Sequence, residues 1–290
     1  MKNTVKDVIF LPKYNSARSA KSERIEKLKA ELFREMPQIE ADRAVLLTQS
    51  YMETEGEPMV TRRAKAFRNI LENIPVTIRD EELIVGSATK SPRSCQVFPE
   101  FSFTWVEDEF ETMEKRSADP FYISEETKKT LHEVYKYWGG KTTSELATSY
   151  LAPETKCAME HNLFTPGNYF YNGVGHVTVQ YDKVLKIGYK GILKQIRDEM
   201  ESQKVSDADF CTKRAFLEAA EMSCEAAITY ARRYAALALE MLEKEKDENR
   251  RRELAIIARN CSRVPENGAT SFYEACQSFW CCYAFIAGIT

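Results

Sequence analysis

Phe164-Thr165-Pro166-Gly167-Asn168-Tyr169-Phe170-Tyr171-Asn172-Gly173-Val174-Gly175-His176-Val177 interrupts a chain that otherwise reads as helix after helix. Its glycines and aromatics are too dense to continue a helix, so it reads as an ordered loop. From His176 the residues alternate as His176-Val177-Thr178-Val179-Gln180, the period of a short strand. Downstream, apolar positions recur at helical spacing over 182–202, 209–245, 248–262 and from 270 onward. The stretch 271–290 carries Glu274 as its one charge, and Phe272, Phe279, Trp280, Tyr283, Phe285, Ile286 and Ile289 would surround a helix on every side. A helix of that kind is built to be buried all round.

Upstream, residues 1–20 are weakly patterned and read as an amino-terminal arm ahead of a single domain over 21–290, which the resemblance described below implies to be incomplete. From Ser22, the positions Ile25, Leu28 and Leu32 predict a helix ending before Pro37. Asp42 has the character of a cap for a second helix carrying Val45, Leu46 and Tyr51. Gly56-Glu57-Pro58 introduces a third, with Val60, Ala64, Phe67 and Leu71. Val76-Thr77-Ile78 and Leu83-Ile84-Val85-Gly86 have the residue types of short strands, and the proline-bearing stretch 87–104 reads as an ordered loop. Ser124-Glu125-Glu126 caps a helix through Leu131, Val134, Tyr135 and Trp138 that Gly139-Gly140 ends. The fold class is therefore mainly α with a few short strands.

Composition narrows the function. Lys and Arg number 41 against 44 Asp and Glu in 290 residues, and there is no basic block suited to nucleic acid or an anionic membrane. No apolar run approaches the ~20 residues of a bilayer span. The eight cysteines include no C-x-x-C pair, which fits reduced thiols and a cytoplasmic location. His132 lies on a charged helix and His161 beside Glu160; neither has a partner at metal-ligand spacing, and both read as surface residues. Asp80-Glu81-Glu82 and Glu107-Asp108-Glu109 read as solvated acidic faces, and Cys281-Cys282, inside an apolar run, as core thiols.

The loop 164–177 resembles the loop and strand that reach the active site in glycyl radical enzymes of the pyruvate formate-lyase-like family, above all the B12-independent glycerol and propanediol dehydratases. The same register carries Thr54-Glu55-Gly56-Glu57-Pro58, Asn73-Ile74-Pro75-Val76-Thr77-Ile78-Arg79-Asp80 and Gln96-Val97-Phe98-Pro99-Glu100-Phe101. It also carries Gly140-Lys141-Thr142-Thr143-Ser144-Glu145-Leu146-Ala147 and Ser271-Phe272-Tyr273-Glu274-Ala275-Cys276-Gln277. The resemblance extends over nearly everything after about residue 20, and it implies the amino-terminal part of the family's ten-stranded α/β barrel.

What the resemblance implies about chemistry is a dehydratase that eliminates water from glycerol or a 1,2-diol to give an aldehyde, with a cysteine and a radical-bearing glycine on two central loops. No organic cofactor or metal stays bound. The glycyl radical is installed by a radical S-adenosylmethionine activating enzyme, and the full-length enzyme is implied to be a homodimer. The family's Gly-Cys-Val-Glu-like and Arg-Val-x-Gly-Tyr-like strings are absent from these 290 residues, so no catalytic residue is assigned and the chain alone is expected to be inactive. Lyases acting on choline or isethionate and hydroxyproline dehydratases stay open, as does a non-catalytic helical scaffold. One substrate-binding residue carries over. His176, within Gly173-Val174-Gly175-His176, matches the family histidine that hydrogen-bonds a substrate hydroxyl, a task imidazole can perform near neutral pH. Without the match, a single histidine at a strand start would read as a structural hydrogen-bonder.

Overall fold

The structure is a computed structural model, and it describes residues 22–34, 36–165, 167 and 178–285. Eleven α-helices appear among them: α1 (Glu23–Arg34), α2 (Asp42–Glu53), α3 (Met59–Asn73), α4 (Thr104–Asp108), α5 (Glu125–Trp138), α6 (Thr143–Ser149), α7 (Pro153–Glu160), α8 (Tyr181–Ser202), α9 (Phe210–Lys244), α10 (Glu248–Arg263) and α11 (Phe272–Ala284). Two short strands, β1 (Ile39–Glu40) and β2 (Cys95–Gln96), pair in parallel with Ile39 opposite Cys95. The mainly α character expected from periodicity is what the structure shows.

The 35-residue α9 is the axis on which α3, α8 and α10 pack. Ala226, Ala227, Ala231, Ala235 and Ala238 are all buried on it, and side chains this small let neighbouring helices approach closely. Buried with them are Ile70 and Leu71 of α3, Leu254 and Ile257 of α10, and Tyr230 and Tyr234 of α9 itself. Helix α2 joins this core through Ala44 and Leu47, whereas Val45, expected on the inner face, is exposed. Asp42 is the first helical residue and not the cap: Ala41 holds that place, and the Asp42 carboxylate pairs with Lys90 at 2.9 Å. Ser124 does cap α5, accepting from the Thr127 N–H at 3.1 Å.

The two stretches with strand chemistry, 76–78 and 83–86, belong to no sheet. An extended buried backbone must still satisfy its N–H and C=O groups, and here side chains take the place of a neighbouring strand. The Gln277 carboxamide closes a ring with Val85, accepting from its N–H at 3.0 Å and donating to its carbonyl at 2.7 Å. Trp280 Nε1 donates to the Gly86 carbonyl at 2.7 Å and the Tyr273 hydroxyl to the Leu83 carbonyl at 2.5 Å. The Ser87 N–H donates to the Tyr234 hydroxyl, and the Ser87 carbonyl accepts from Tyr230, both at 2.9 Å. Burial pushes the Tyr230 phenol well above its ordinary range and that of Tyr234 up as well, so they stay protonated donors.

Further back along the same segment, Arg250 of α10 donates to the carbonyls of Arg79 and Glu82, and Arg233 of α9 to those of Leu71 and Ile74. The Leu71 carbonyl in the last turn of α3 and the Ile74 carbonyl just after it are thereby capped from α9.

Helix α11 departs from the expectation of burial on all sides. Its inner face is polar or small, with Glu274, Gln277, Ser278, Cys281 and Cys282 buried, while Phe272, Phe279, Trp280 and Tyr283 are exposed. Two sets of partners account for this: the strap at 83–87 draws Gln277 inward to its backbone, and Arg263 and Thr270 draw in Glu274. Replacing Gln277 tests this. Gln277→Leu keeps the apolar volume but orphans a buried N–H and a buried C=O, at about 1–3 kcal/mol each. The urea midpoint is expected to fall by the equivalent of roughly 2 kcal/mol or more, read by circular dichroism; an unchanged midpoint contradicts the role given to this side chain.

Candidate functional site

His176 and the loop around it, 168–177, lie outside the described residues, so the candidate site is built from what brackets them. Before the loop, Thr142 and Glu145 form a reciprocal cap at the start of α6, and Pro153 opens α7. Asn162, in a left-handed turn at φ 53°, redirects the chain out of α7 towards the exposed Leu163 and Phe164. After the loop, residues 178–180, the described part of the stretch expected as strand, carry no strand and lead directly into α8.

The start of α8 is fixed by a backbone break. Gly188 takes φ 63° inside the helix, and the turn that follows α10 fits against it. Tyr189 and Lys190 donate their N–H groups to the carbonyls of Pro265 and Glu266, and the Ala269 N–H donates to Leu185. A Cβ on Gly188 would overlap the backbone of Glu266 and Asn267, and one on Gly268 the carbonyl of Lys186. Only glycine satisfies both the left-handed φ and these approaches. Residues 181–187, which receive the loop, are therefore aimed independently of the rest of α8.

They are aimed at α11. The Tyr181 ring lies 4.5 Å from that of Phe279, centroid to centroid. Leu185, Ile84, Phe272, Cys276, Phe279 and Trp280 line an apolar cavity of about 560 Å³ beside it. A Cβ at Gly86 would press on the Trp280 ring, and Gly86 has φ 135°, so the strap and the aromatic face meet at a glycine as well. The chemistry available here is exclusion of water by an aromatic wall next to the end of the loop; acid–base groups are not among its described lining residues.

The remaining candidates fall as their surroundings dictate. His132 is exposed and pairs with Glu107, while exposed His161 accepts or donates only within α7, to the Cys157 carbonyl and thiol. Glu81 meets Arg24 and Lys27, Glu82 meets Arg79, and Glu109 meets Arg116. The glutamates of the two acidic clusters are thus paired charges. Among the described residues no group of three or more His, Cys, Asp or Glu could hold a metal ion, and no helix is long and apolar enough to cross a membrane. Cys281 and Cys282 are buried, as the apolar run around them predicts; burial pushes the Cys281 thiol up to about 12 and that of Cys282 up as well. Tyr189, which contacts Cys282 Sγ at 3.5 Å, had no signal in the sequence beyond helical spacing.

Because a thiol reacts as the thiolate, iodoacetamide at neutral pH is expected to label the exposed Cys157 and Cys211 first. Cys281 and Cys282 should be labelled only once urea unfolds the chain. Peptide mapping that finds Cys281 modified as fast as Cys157 in the native protein would overturn the core assignment.

Comparison with known proteins gives the same picture from another direction. The family described as pyruvate formate lyase-like matches residues 18–288. A solved structure concerning 1,2-propanediol dehydration in Roseburia inulinivorans is 62% identical with a TM-score of 0.88, covering 91% of this chain and 32% of that one. The glycerol-bound B12-independent glycerol dehydratase from Clostridium butyricum is 52% identical with a TM-score of 0.89, covering 94% and 35%. Among curated proteins, (2S)-3-sulfopropanediol dehydratase of Klebsiella oxytoca is 34% identical over 246 residues, 83% of this chain and 30% of that protein. The chain thus spans about a third of the length of these relatives.

Proposed function

This chain belongs to the pyruvate formate lyase-like family, and on that premise we propose that it serves a glycyl radical dehydratase that removes water from glycerol or another 1,2-diol. The observation that carries the reading is a shared substrate framework. The three relatives just described, at 62, 52 and 34% identity, are all named for propanediols or glycerol. The reaction is redox-neutral: a C–O bond breaks, a hydrogen moves between adjacent carbons, and the diol leaves as an aldehyde and water.

Radical chemistry is supplied in this family by a glycine and a cysteine on loops whose sequence strings these 290 residues lack, after activation by a radical S-adenosylmethionine enzyme. The contribution of this chain is to bind and orient. His176 holds a substrate hydroxyl and, when charged, assists its departure or stabilises the neighbouring oxygen. The Gly188 break and the α8–α11 contact support this role, since they set the direction in which the chain leaves the loop.

In a protein carrying this segment at the family's full length, His176→Ala is expected to lower kcat/KM for 1,2-propanediol by about tenfold or more. The glycyl radical signal on activation should persist, which separates loss of substrate contact from loss of folding. Unchanged turnover removes His176 from the site. Sulfite release from isethionate in place of aldehyde from a diol overturns the substrate class. The 290-residue chain alone, incubated with activase and S-adenosylmethionine, is expected to give no glycyl radical doublet.

A further inference from the structure

A cavity of about 770 Å³ opens between α2, α3, the ends of α5 and α6, and α9, on residues that take no part in the site described above. Its volume is that of a small-molecule pocket. The floor is apolar, with Leu47, Ala66, Phe67, Ile70 and Ala220. Its charged residues are Arg43, Arg62, Arg63 and Lys141 against Glu55 and Glu100, four positive and two negative, in a chain whose net charge is −3.

The way these charges are held matters more than the count. Arg43 and Glu100 neutralise each other through two contacts of 3.0 and 2.5 Å, with the Arg43 guanidinium stacked 3.7 Å from the Phe98 ring centre. Arg62 instead donates to neutral acceptors, the Tyr51 carbonyl at 2.7 Å, the Tyr137 hydroxyl at 3.3 Å and Thr54 Oγ1 at 3.4 Å, and lies 4.6 Å over the Tyr51 ring. Lys141 sits 4.1 Å over the Tyr137 ring. Among the described residues neither Arg62, Arg63 nor Lys141 forms an ion pair with a carboxylate. Aromatic rings and a carbonyl orient the cations without cancelling them.

We propose that this cavity is a binding site for a small anionic ligand with an apolar body, a carboxylate bearing an alkyl or aryl tail. The tail would cover the Leu47–Phe67–Ile70 floor, and the head would meet Arg62, Arg63 and Lys141. The inference stands apart from the dehydratase reading, and its test does not use diol turnover.

Isothermal titration of the chain with octanoate, 1-octanol and octyltrimethylammonium separates the contributions of head and tail. Octanoate is expected to bind, octanol about tenfold more weakly or worse, and the ammonium not measurably. Arg63→Glu with Lys141→Glu, both on exposed side chains, should weaken octanoate by about tenfold or more. The milder Arg63→Gln should weaken it less, with the circular dichroism spectrum unchanged in both. Phe272→Ser, on the separate aromatic face of α11, should leave binding intact. Equal affinity for octanol, indifference to charge reversal, loss of binding in Phe272→Ser, or no octanoate binding at all each overturns the proposal.

Discussion

An extended backbone held by side chains in place of a sheet is the constraint on which the rest of this structure depends. From the last turn of α3 at Leu71 through the extended stretch to Ser87, the main chain crosses the faces of α9, α10 and α11, and its polar groups are met by Arg233, Tyr230 and Tyr234, by Arg250, and by Tyr273, Gln277 and Trp280. Each bond alone contributes modestly; leaving any buried group unmet costs more than the bond contributes. The helices are therefore not free to choose their apolar faces independently. Helix α11 must turn its Gln277 carboxamide inward, and four of its aromatic residues are left outside.

That orientation carries through to the loop. With Phe279 and Trp280 outward, the first turns of α8 find an aromatic surface for Tyr181 and Leu185, and the break at Gly188 lets those turns pivot away from the remainder of the helix. The path runs from the strap to α11, from α11 to the start of α8, and from there to the end of the loop that carries His176. The consequential surfaces are an aromatic wall on one side and, on the α2–α3 side, a cavity with net positive charge.

Much of this was legible in the sequence. Helical spacing located α1, α3, α5, α9 and α10 to within a residue or two, because each has a long apolar stripe and most are bounded by a cap, a proline or a glycine. The family resemblance rested on long motifs and agrees with a match over residues 18–288. The short helices α4, α6 and α7 gave too few residues for a period to show. The β1–β2 pair, two residues a strand, is selected by Glu40, whose carboxylate collects the N–H groups of Lys90 and Ser91 and the Gln96 amide, and such long-range bonds leave no local pattern. Strand chemistry at 83–86 was real, but its partner was a set of side chains nearly 150 to 200 residues away, which no residue period can announce. Likewise Gly188 looks like an ordinary glycine in a helical run until the turn at 265–269 is placed against it.

The central claim is that the strap is as secure as the helices that hold it. Native-state hydrogen exchange at the amides of Val85 and Ser87, whose only shown acceptors are Gln277 Oε1 and the Tyr234 hydroxyl, tests it directly. The account requires both amides to exchange with the same opening free energy as the core of α9, around Tyr230 to Ala235, because freeing them means separating α9 and α11 from the strap. Exchange at the rate of an open loop, with α9 still protected, would show that the helices pack without it and would contradict the account.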